Sequence, residues 1–333
     1  MKILIPGGSG QVGAILARAF FAEGHDVVVL SRAASAQRHR VPWRVAHWDA
    51  RSLGDWAGEI DGADVVINLA GKNVNCRYNA VNRRLIMDSR VESTQAVAGA
   101  IARAKAPPRV WLQASTATIY AHRYEAPNDE ITGILGGDEP GAPDTWRFSI
   151  DVAKAWEQAA TDAVIPDATR LVLLRSAMTM SPDAGSVFDV LLGLVRKGLG
   201  GRAGDGRQYV SWIHEHDFVR AVKWIINCDQ LAGAVNVSSP NPVPNAQFMQ
   251  NLREAGGVRL GLPASKWMLE VGAVFLRTET ELILKSRRVV PKRLLDSGFT
   301  FDFPDWRAAA ADLCRRWREQ HDHGPADRMH ANA

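Results

Sequence analysis

Short apolar runs alternate with amphipathic segments along the first half of the chain. The runs have the length and the β-branched character of buried strands, and they cover residues 2–6, 26–30, 43–48, 64–69, 109–114 and 169–174. Between them, apolar residues recur every three or four positions, which predicts helices over 11–22, 81–105 and 150–162. This alternation predicts an α/β fold, a Rossmann-type doubly wound parallel sheet with helices on both faces.

The pattern changes after about residue 175. A helical pattern at 188–197 leads into the glycine-rich basic loop GLGGRAGDGRQ at 198–208, and later segments are mostly helical, with one strand candidate at 234–237. We therefore expect the sheet domain to occupy residues 1–175, with its sheet completed by later segments, and a smaller, mostly helical substrate lobe to occupy 176–320. Residues 321–333 are polar and lack periodicity, which is typical of a frayed tail.

The length of the chain indicates a second structural part, and its composition excludes several classes of protein. The chain has 333 residues, more than the ~250 to 300 at which single cores stop growing. Apolar residues make up 46% and charged residues 23%, as in ordinary globular proteins. The net charge is only +4 and the basic residues are scattered, which argues against a nucleic-acid partner. A small molecule, phosphorylated or not, is the expected ligand.

Cysteine usage and the N-terminus predict a cytoplasmic location. Cys76, Cys228 and Cys314 are too few and too far apart for a disulfide framework or a zinc knuckle. The N-terminus MKILIPGGSG has an apolar run of only three residues before Pro6, and no run approaches the ~18 apolar residues of a membrane span. We expect a soluble protein that is neither exported nor bound to a membrane.

A glycine motif follows the first predicted strand. Gly7, Gly10 and Gly13 have the spacing G-x-x-G-x-x-G at the start of an amphipathic helix. Such glycines permit a tight turn, close approach of the backbone to a pyrophosphate and close packing of helix on strand, while the helix N-terminus offers free N–H donors. The motif predicts a dinucleotide site whose residues are Gly7, Ser9, Gly10, Gln11, Val12 and Gly13.

The end of the second strand indicates which dinucleotide binds. An NAD site usually has Asp or Glu there to bind the ribose diol, but this chain has Ser31 and Arg32, 18 and 19 positions past Gly13. A guanidinium binds a 2′-phosphate and a hydroxyl can donate to it, whereas a carboxylate would repel it. We predict NADP(H) as the cofactor; the alternative is that Arg32 is a solvated strand-end residue.

Further cofactor contacts follow from the sheet, because ligands lie across the carboxyl ends of parallel strands. Asp49, just past the third strand, is a candidate for the adenine amino group. Leu69, Ala70 and Gly71 end the fourth strand, where small residues let a cofactor pass close to the backbone.

Several motifs carry a family resemblance. With GGSGQVG, NLAG and ASTATIYA, the chain resembles the extended short-chain dehydrogenase/reductases. More narrowly, it is similar to the atypical nucleoside-diphosphate-sugar epimerase-like family that has a small C-terminal domain of unknown function, here from about residue 250. That likeness runs to about residue 310 and rests on NLAGKNV, DSRVEST, WEQAA, GLGGRAGDGRQYVSWIHEHD, NVSSPNPVPNAQF and VVPKRLLDSGFTF.

The resemblance implies an NADP(H)-binding domain and a C-terminal part that closes over a substrate such as a nucleotide sugar. In the wider superfamily, a Ser or Thr after the fifth strand works with a Tyr-x-x-x-Lys dyad, and Thr116 matches the first role. With the following helix anchored on Glu157, Ser149 stands at the Tyr position and Ala153 at the Lys position. Lys154 is one residue late, about 100° around the helix. The narrower family generally lacks the dyad too.

Replacements for the dyad can be nominated. Tyr120 is a phenol near the end of the fifth strand and is our second catalytic candidate, although an aromatic there more often packs against loops. We therefore predict an NADP(H)-dependent epimerase-like oxidoreductase in which Thr116 polarises a carbonyl and water, Tyr120 or the substrate carries the proton. The alternative is a catalytically inactive NADP(H)-binding protein that senses redox state.

Three more residues are candidate substrate contacts. Arg77 stands where the family has an Arg before an aromatic, Arg207 belongs to the glycine-rich loop, and His214 follows it. The alternatives are surface solvation for Arg77, a flexible connector for the loop, and N-capping of the next helix by His214 and Asp217. We predict no metal, because the His214–His216 stretch lacks further ligands at a helpful spacing. A second copy of the chain is a candidate partner, as a homodimer.

Overall fold

The computed structural model describes residues 1–33, 41–264 and 284–322. Its strands are β1 (Lys2–Pro6), β2 (Asp26–Ser31), β3 (Arg44–His47), β4 (Val65–Asn68), β5 (Val110–Thr116), β6 (Arg170–Ser176), β7 (Met178–Met180), β8 (Tyr209–Val210), β9 (Trp212–His214), β10 (Gly233–Val237) and β11 (Val243–Pro244). Its α-helices are α1 (Gln11–Ala22), α2 (Ala80–Arg103), α3 (Asp144–Thr161), α4 (Val187–Arg196), α5 (Glu215–Asn227), α6 (Asn245–Gly256), α7 (Lys292–Asp296) and α8 (Trp306–Asp322). Of the predicted tail, 323–333 lie outside the described residues.

Seven parallel strands form the central sheet, in the order β3-β2-β1-β4-β5-β6-β10. The chain reverses its direction of progress between β1 and β4, and this is the crevice where ligands of open α/β sheets bind. The predicted doubly wound sheet is therefore confirmed, and all six strands expected before residue 175 are present. The strand candidate at 234–237 becomes β10 and completes the sheet beside β6.

Two layers of helices cover the sheet. On one face, α1 and α5 bury Phe20 and Val222 against the strands. On the other, α2, α3 and a 3-10 turn at Asp55–Glu59 bury Ile101, Ala160 and Trp56. β1, β2 and β4 are buried on both faces along nearly their whole length, which is why they appear as continuous apolar runs.

A third apolar cluster supports the second part of the chain. Phe188 of α4, Trp212 of β9, Phe248 of α6 and Trp306 of α8 pack together, with Phe248 and Trp306 stacked at 4.0 Å between ring centroids. Four short strands also occur here, in the pairs β7 with β9 and β8 with β11. The sequence analysis missed them because runs of two or three residues show no periodicity.

The segment 284–290 returns to the sheet domain after the third cluster. The backbone N–H of Asn128 donates to the carbonyl of Arg288 at 2.6 Å, and that of Val290 donates to the carbonyl of Asn128 at 3.0 Å. The N–H of Arg287 donates to the carbonyl of Tyr209 at 2.8 Å. This segment therefore joins the loop after β5 to the β8 region. Among the described helices, none is both long and apolar enough to span a bilayer.

Candidate functional site

The turn between β1 and α1 is built on glycines that the protein itself requires. Gly7 has φ +74°, and a Cβ on it would lie 2.7 Å from the Cα of Ala70. A Cβ on Gly13 would lie 2.4 Å from the Cα of Gly8. Real side chains cannot occupy these positions without moving the backbone, so Gly7 allows the turn to fold against the end of β4 and Gly13 allows α1 to pack against the turn.

Gly10 differs from its two neighbours in the motif. A Cβ there would meet nothing closer than the carbonyl oxygen of Gly7 at 3.5 Å, and the residue is exposed. Gly10 is the N-cap of α1, with no side-chain cap and no acidic residue in the first turn. The first N–H groups of a helix have no partner within it. The open space beside Gly10 thus gives an anion access to an uncapped helix N-terminus.

The first turn of α1 also holds an unpaired donor. The side-chain nitrogen Nε2 of Gln11 is buried and has no hydrogen-bond partner in the described structure. Val12 packs against the core of the sheet domain. A buried amide without a partner costs free energy, and a phosphate oxygen at the helix N-terminus would satisfy it. These residues fit the predicted dinucleotide.

Ser31 and Arg32 lie at the carboxyl end of β2 as predicted. Ser31 is 3% exposed, its Oγ lies 3.3 Å from the Oγ of Ser9, and it accepts from the N–H of Ala33 at 3.2 Å. Arg32 is exposed, and none of the described residues gives its side chain a hydrogen bond or an ion pair. Two hydroxyls therefore lie together at this strand end, and the next residue in sequence carries a guanidinium that none of the described residues pairs with.

Asp49 organises the loop that follows β3. Its carboxylate accepts from the Oγ of Ser52 at 2.5 Å and from the backbone N–H groups of Ser52 and Arg51, each at 2.9 Å. These bonds, that from the Ser52 side chain above all, lower the pKa of Asp49 to about 2. The adenine contact stays a prediction, and the structure adds a local reason for an aspartate here.

The end of β4 is held by backbone and amide hydrogen bonds. The N–H of Leu69 donates to the carbonyl of Pro6 at 2.8 Å, and that of Ala70 to the Oδ1 of Asn68 at 3.2 Å. A Cβ on Gly71 would lie 3.2 Å from the Cζ of Arg90. The lack of a side chain at Gly71 therefore leaves room for a guanidinium of α2, which the sequence analysis missed.

Thr116, the first catalytic candidate, ends β5. Its Oγ1 accepts from the backbone N–H of Thr118 at 3.2 Å. None of the described residues accepts the hydroxyl proton of Thr116, so that proton is available to a ligand. A hydroxyl that donates in this way can polarise a carbonyl, and the catalytic role of Thr116 stays a prediction.

Tyr120, the second candidate, belongs to a buried polar network. It is 2% exposed, and its hydroxyl donates to the Oδ1 of Asn236 at 2.9 Å and accepts from the Nη1 of Arg175 at 3.0 Å. Burial raises the pKa of the Tyr120 phenol, and the charge of Arg175 opposes that rise. The structure thus buries the side chain of Tyr120, which lies in the loop that follows Thr116, away from solvent.

The same network contains a buried ion pair. Arg175 donates to both carboxylate oxygens of Glu157, at 2.8 and 2.7 Å, and Ser115 donates to the same carboxylate at 2.5 Å. Both partners are largely buried. A fork of this kind fixes orientation as well as charge. It connects β5, β6 and α3 directly under the candidate site.

Two cations from the C-terminal segment reach the loop after β5. Lys285, 1% exposed, donates from its Nζ to the carbonyl of Thr118 at 2.7 Å. Arg287 donates from its Nε to the Oγ1 of Thr118 at 3.1 Å. The sequence analysis missed both residues, because partners 167 and 169 positions apart leave no local pattern.

His122 lies in the same loop. Its Nδ1 accepts from the backbone N–H of Ser286 at 2.8 Å. Burial, followed by the positive charge of Lys285, lowers the pKa of His122 below its usual value. The imidazole therefore serves as an acceptor for the C-terminal segment.

The three predicted substrate contacts lie in different places. Arg77 is exposed on the loop between β4 and α2. The guanidinium of Arg207 lies 5.8 Å from the centroid of the Tyr124 ring, so the glycine-rich loop does approach the loop after β5. That glycine-rich loop is anchored on its far side, since Gly201 and Gly204 donate to the carbonyls of Leu262 and Ala264.

His214 is the N-cap of α5, the alternative that the sequence left open. It is 1% exposed, its Nδ1 accepts from the N–H of His216 at 3.0 Å, and its Nε2 lies 3.2 Å from the Oδ2 of Asp312. Because Nδ1 accepts, Nε2 must carry the proton and donate to Asp312. Burial lowers the pKa of His214 to about 4. Its substrate contact stays a prediction.

Three side chains near α5 lie close enough to share a cation: His216, Asp217 and Asp302. Arg220 already pairs with Asp217 at 2.9 Å and with Asp302 at 3.1 Å. Asp217 also accepts from the backbone N–H groups of Asp302 and Phe303. A guanidinium therefore balances this acidic group, and Asp217 ties α5 to the C-terminal region without capping the helix.

Comparisons with known families divide the chain in two. A profile of the NAD dependent epimerase/dehydratase family matches residues 3–238. A profile described as a domain of unknown function, DUF1731, matches residues 264–313. The human epimerase family protein SDR39U1 is 31% identical over 317 residues, which cover 94% of this chain and 99% of the human protein.

Solved structures have the same architecture. A crystal structure of human SDR39U1 (isoform 2) with NADPH has a TM-score of 0.80 at 29% identity, over 95% of this chain and 99% of that one. A crystal structure of a nucleoside-diphosphate sugar epimerase from Corynebacterium glutamicum has a TM-score of 0.72 at 27% identity, over 94% of this chain and 58% of that one.

Proposed function

This chain belongs to the NAD dependent epimerase/dehydratase family, and on that premise we propose that it is an NADP(H)-binding, epimerase-like oxidoreductase. The resemblance found in its motifs, an atypical short-chain dehydrogenase/reductase with a C-terminal domain of unknown function, is confirmed. We propose a nucleotide sugar, or another small carbonyl or alcohol, as its substrate.

The end of β2 is the observation that carries the cofactor proposal. Arg32 has no partner among the described residues, Ser31 and Ser9 place two hydroxyls beside it, and no carboxylate stands there to bind a ribose diol. Gly10 and the unpaired amide of Gln11 supply the pyrophosphate end. The human relative, crystallised with NADPH, agrees with this preference.

Comparative titration tests the preference for NADP(H). We expect the purified protein to bind NADPH at least tenfold more tightly than NADH. Arg32→Glu should reverse this order, because a carboxylate repels a 2′-phosphate and accepts from a ribose diol. Equal affinities for the two cofactors, unchanged by Arg32→Glu, would contradict the proposal.

A matched control separates the local effect from net charge. Arg84 is an exposed residue of α2. Arg84→Glu makes the same charge change away from the cofactor site, and it should leave the ratio of the two affinities within about twofold of the original.

The proposed chemistry centres on Thr116. Bound NADPH would supply a hydride to a carbonyl carbon, and NADP⁺ would take one from an alcohol. Thr116, fixed by the backbone N–H of Thr118, donates a hydrogen bond from its hydroxyl to the substrate oxygen and keeps its proton. That hydrogen bond strengthens as negative charge develops on the oxygen.

The proton must come from a group other than a Tyr-Lys pair. We place Ser149 and Ala153 at the dyad positions of α3, and Ala153 is buried against Ala117 and Ile119. Tyr120 is bonded to Asn236 and Arg175 and lies away from solvent. Of the three carriers considered, these contacts favour water or a substrate hydroxyl over Tyr120.

The division of labour along the chain is also a proposal. We assign residues 1–175 to cofactor binding and 176–320 to a lobe that covers the substrate, including the C-terminal module from about residue 250. Of the three predicted substrate contacts, Arg207 is the best supported, because its guanidinium lies near the ring of Tyr124 in the loop after β5.

The second candidate function is a catalytically inactive NADP(H) sensor. The side chains at these places favour it, because Ala153 has no group that carries a proton and the buried hydroxyl of Tyr120 is bonded to Asn236 and Arg175. NADPH oxidation across nucleotide sugars and a carbonyl panel separates the two functions. Turnover that Thr116→Ala reduces supports the enzyme. No turnover, with full cellular function retained by Thr116→Ala, supports the sensor.

A further inference from the structure

Arg90 of α2 lies half-buried beside the end of β4. Its Nη1 donates to the carbonyls of Lys72 and Ile86, at 3.0 and 3.1 Å. Its Nε and Nη2 have no hydrogen-bond partner among residues 1–33, 41–264 and 284–322. Half of this guanidinium is thus used to hold the strand end, and the other half carries unused donors.

Arg90 also lacks a counter-charge, unlike other arginines of this region. Arg83 of the same helix pairs with Asp144, Arg51 pairs with Glu92 at 2.8 Å, and Arg175 pairs with Glu157. No carboxylate in the described parts of the chain forms such a pair with Arg90. Burial lowers the pKa of Arg90 to about 10, and only the side chains of Tyr78 and Cys76 oppose that shift.

A second donor without an acceptor lies next to Arg90. The guanidinium carbon lies 4.9 Å from the centroid of the Trp156 ring. Trp156 is 7% exposed, and its buried indole Nε1 has no partner in the described structure. Buried donors are normally paired. Two neighbouring residues therefore offer N–H groups for which the described residues provide no acceptor.

Gly71 lies against the side chain of Arg90. The glycine is exposed, and a Cβ on it would lie 3.2 to 3.4 Å from the Cζ, Cγ and Nε atoms of Arg90. A side chain at position 71 would press on the guanidinium. Gly71 lies three residues past the end of β4, at the carboxyl edge of the sheet where ligands of such folds bind.

We propose that Arg90 is the receptor for an oxyanion of the substrate, a carboxylate or a phosphate, at the end of β4. The inference rests on the proposed function and deepens it, because it assigns the enzyme an acidic substrate. The open edge formed by Nε and Nη2 matches two oxygens of a carboxylate or phosphate. The anion would also supply the missing counter-charge, since a half-buried guanidinium without one is costly.

Anion binding is measured by calorimetry, with oxalate and inorganic phosphate as separate probes at constant ionic strength in chloride. Each titration is run on the free protein and on protein saturated with NADP⁺. We expect at least one probe to bind in both states with a Kd near the millimolar range. Arg90→Gln should weaken that probe at least tenfold, and Arg90→Lys less, because the charge remains while the fork is lost. Selective binding of oxalate or of phosphate identifies which anion the site takes.

Two further variants serve as a charge control and as a second way to disturb Arg90. Arg84→Gln removes an exposed charge from the same helix and should change the Kd of the probe less than twofold. Gly71→Ala displaces the guanidinium without removing it, and serves where Arg90→Gln fails to fold. It should weaken the probe several-fold.

Several outcomes would overturn the assignment. These are no binding of either probe to the original protein, equal binding by Arg90→Gln, or equal losses in Arg84→Gln. Competition between the probe and NADP⁺ would also overturn it, since Arg90 would then hold the cofactor. Probe binding that depends on Arg90, in a protein that does not bind NADP(H), would overturn the proposed function and leave the anion site standing.

Discussion

The two ends of the candidate site are held together in different ways. At the nucleotide end, defined here as the β1–α1 turn with the ends of β2 and β4, contacts join backbone groups and short side chains: the N–H of Leu69 donates to the carbonyl of Pro6, and Ser9 lies beside Ser31. At the substrate end, defined as the loop from Ser115 to Tyr124, partners come from far along the chain. Arg175 reaches Tyr120 over 55 positions, and Arg287 reaches Thr118 over 169.

The two ends therefore differ in what supports them: the nucleotide end depends on backbone shape, and the substrate end depends on side chains. The nucleotide end depends on glycines whose missing side chains let the backbone turn, approach and pack. The substrate end depends on charged and polar side chains that the fold brings in from other elements. Changes at the first end should therefore act on cofactor binding, and changes at the second on stability and on the loop that carries Thr116.

The largest effect is expected where the substrate end is supported by a buried charge. Arg175→Met removes the cation and leaves the carboxylate of Glu157 buried with only Ser115 to bond it. Breaking such a pair costs about 3 to 5 kcal/mol, measured as the free energy of unfolding in urea. Arg51→Met, which breaks the exposed pair with Glu92, should cost no more than about 1 kcal/mol. Similar losses in both variants would contradict the distinction.

His214, another residue held by a distant partner, should make the free energy of unfolding depend on pH. Its pKa falls from 6.5 to about 4 in the folded chain, chiefly through burial, so the folded state holds this imidazole neutral. His214 therefore binds its proton more tightly in the unfolded chain than in the folded chain. Stability from this group is complete above pH 6.5 and is lost as the pH falls toward 4, by roughly 3 kcal/mol at most.

A His214→Asn variant is the control for that pH dependence. Asparagine can still cap α5 but does not titrate. The difference in unfolding free energy between the original protein and the variant should shrink in acid, between pH 6.5 and 4. A difference that stays constant with pH would show that His214 does not titrate as the structure indicates.

How far the sequence predicts this molecule follows the same division. The sheet, its six early strands and the glycine turn were predicted, because alternating apolar runs and a fixed glycine spacing are local signals. The seventh strand was found as a candidate, and His214 as a helix cap was one of two alternatives. Each depends on neighbours within a few positions.

What the sequence did not predict depends on contacts between distant residues. Nothing local marks Lys285 or Arg287 as partners of Thr118, or Arg175 as the cation beneath Tyr120. Gly71 was predicted as a residue that a cofactor passes, but its space is also needed by Arg90. Burial and pairing of charges follow from the fold and cannot be recognised from spacing alone.

The glycines of the nucleotide end offer a matched pair of changes. Gly13→Ala places a Cβ 2.4 Å from the Cα of Gly8, so it should cost about 1 to 3 kcal/mol of unfolding free energy and weaken NADPH binding. Gly10→Ala meets nothing closer than 3.5 Å. It should leave stability nearly unchanged and still weaken NADPH several-fold, because the methyl group stands where the pyrophosphate approaches. If Gly10→Ala binds NADPH as tightly as the original protein does, Gly10 is not needed to leave space for the pyrophosphate.

The smallest effect tests whether the two ends are independent. Arg287→Met and Thr118→Val each remove one partner of the 3.1 Å bond between the C-terminal segment and the loop after β5. A double-mutant cycle on unfolding free energy isolates that bond from the other contacts of Arg287, and we expect a coupling of about 1 kcal/mol. The affinity for NADPH should change less than twofold in all three variants. If it falls in step with stability, the substrate end supports the nucleotide end through the sheet, and the site behaves as one unit.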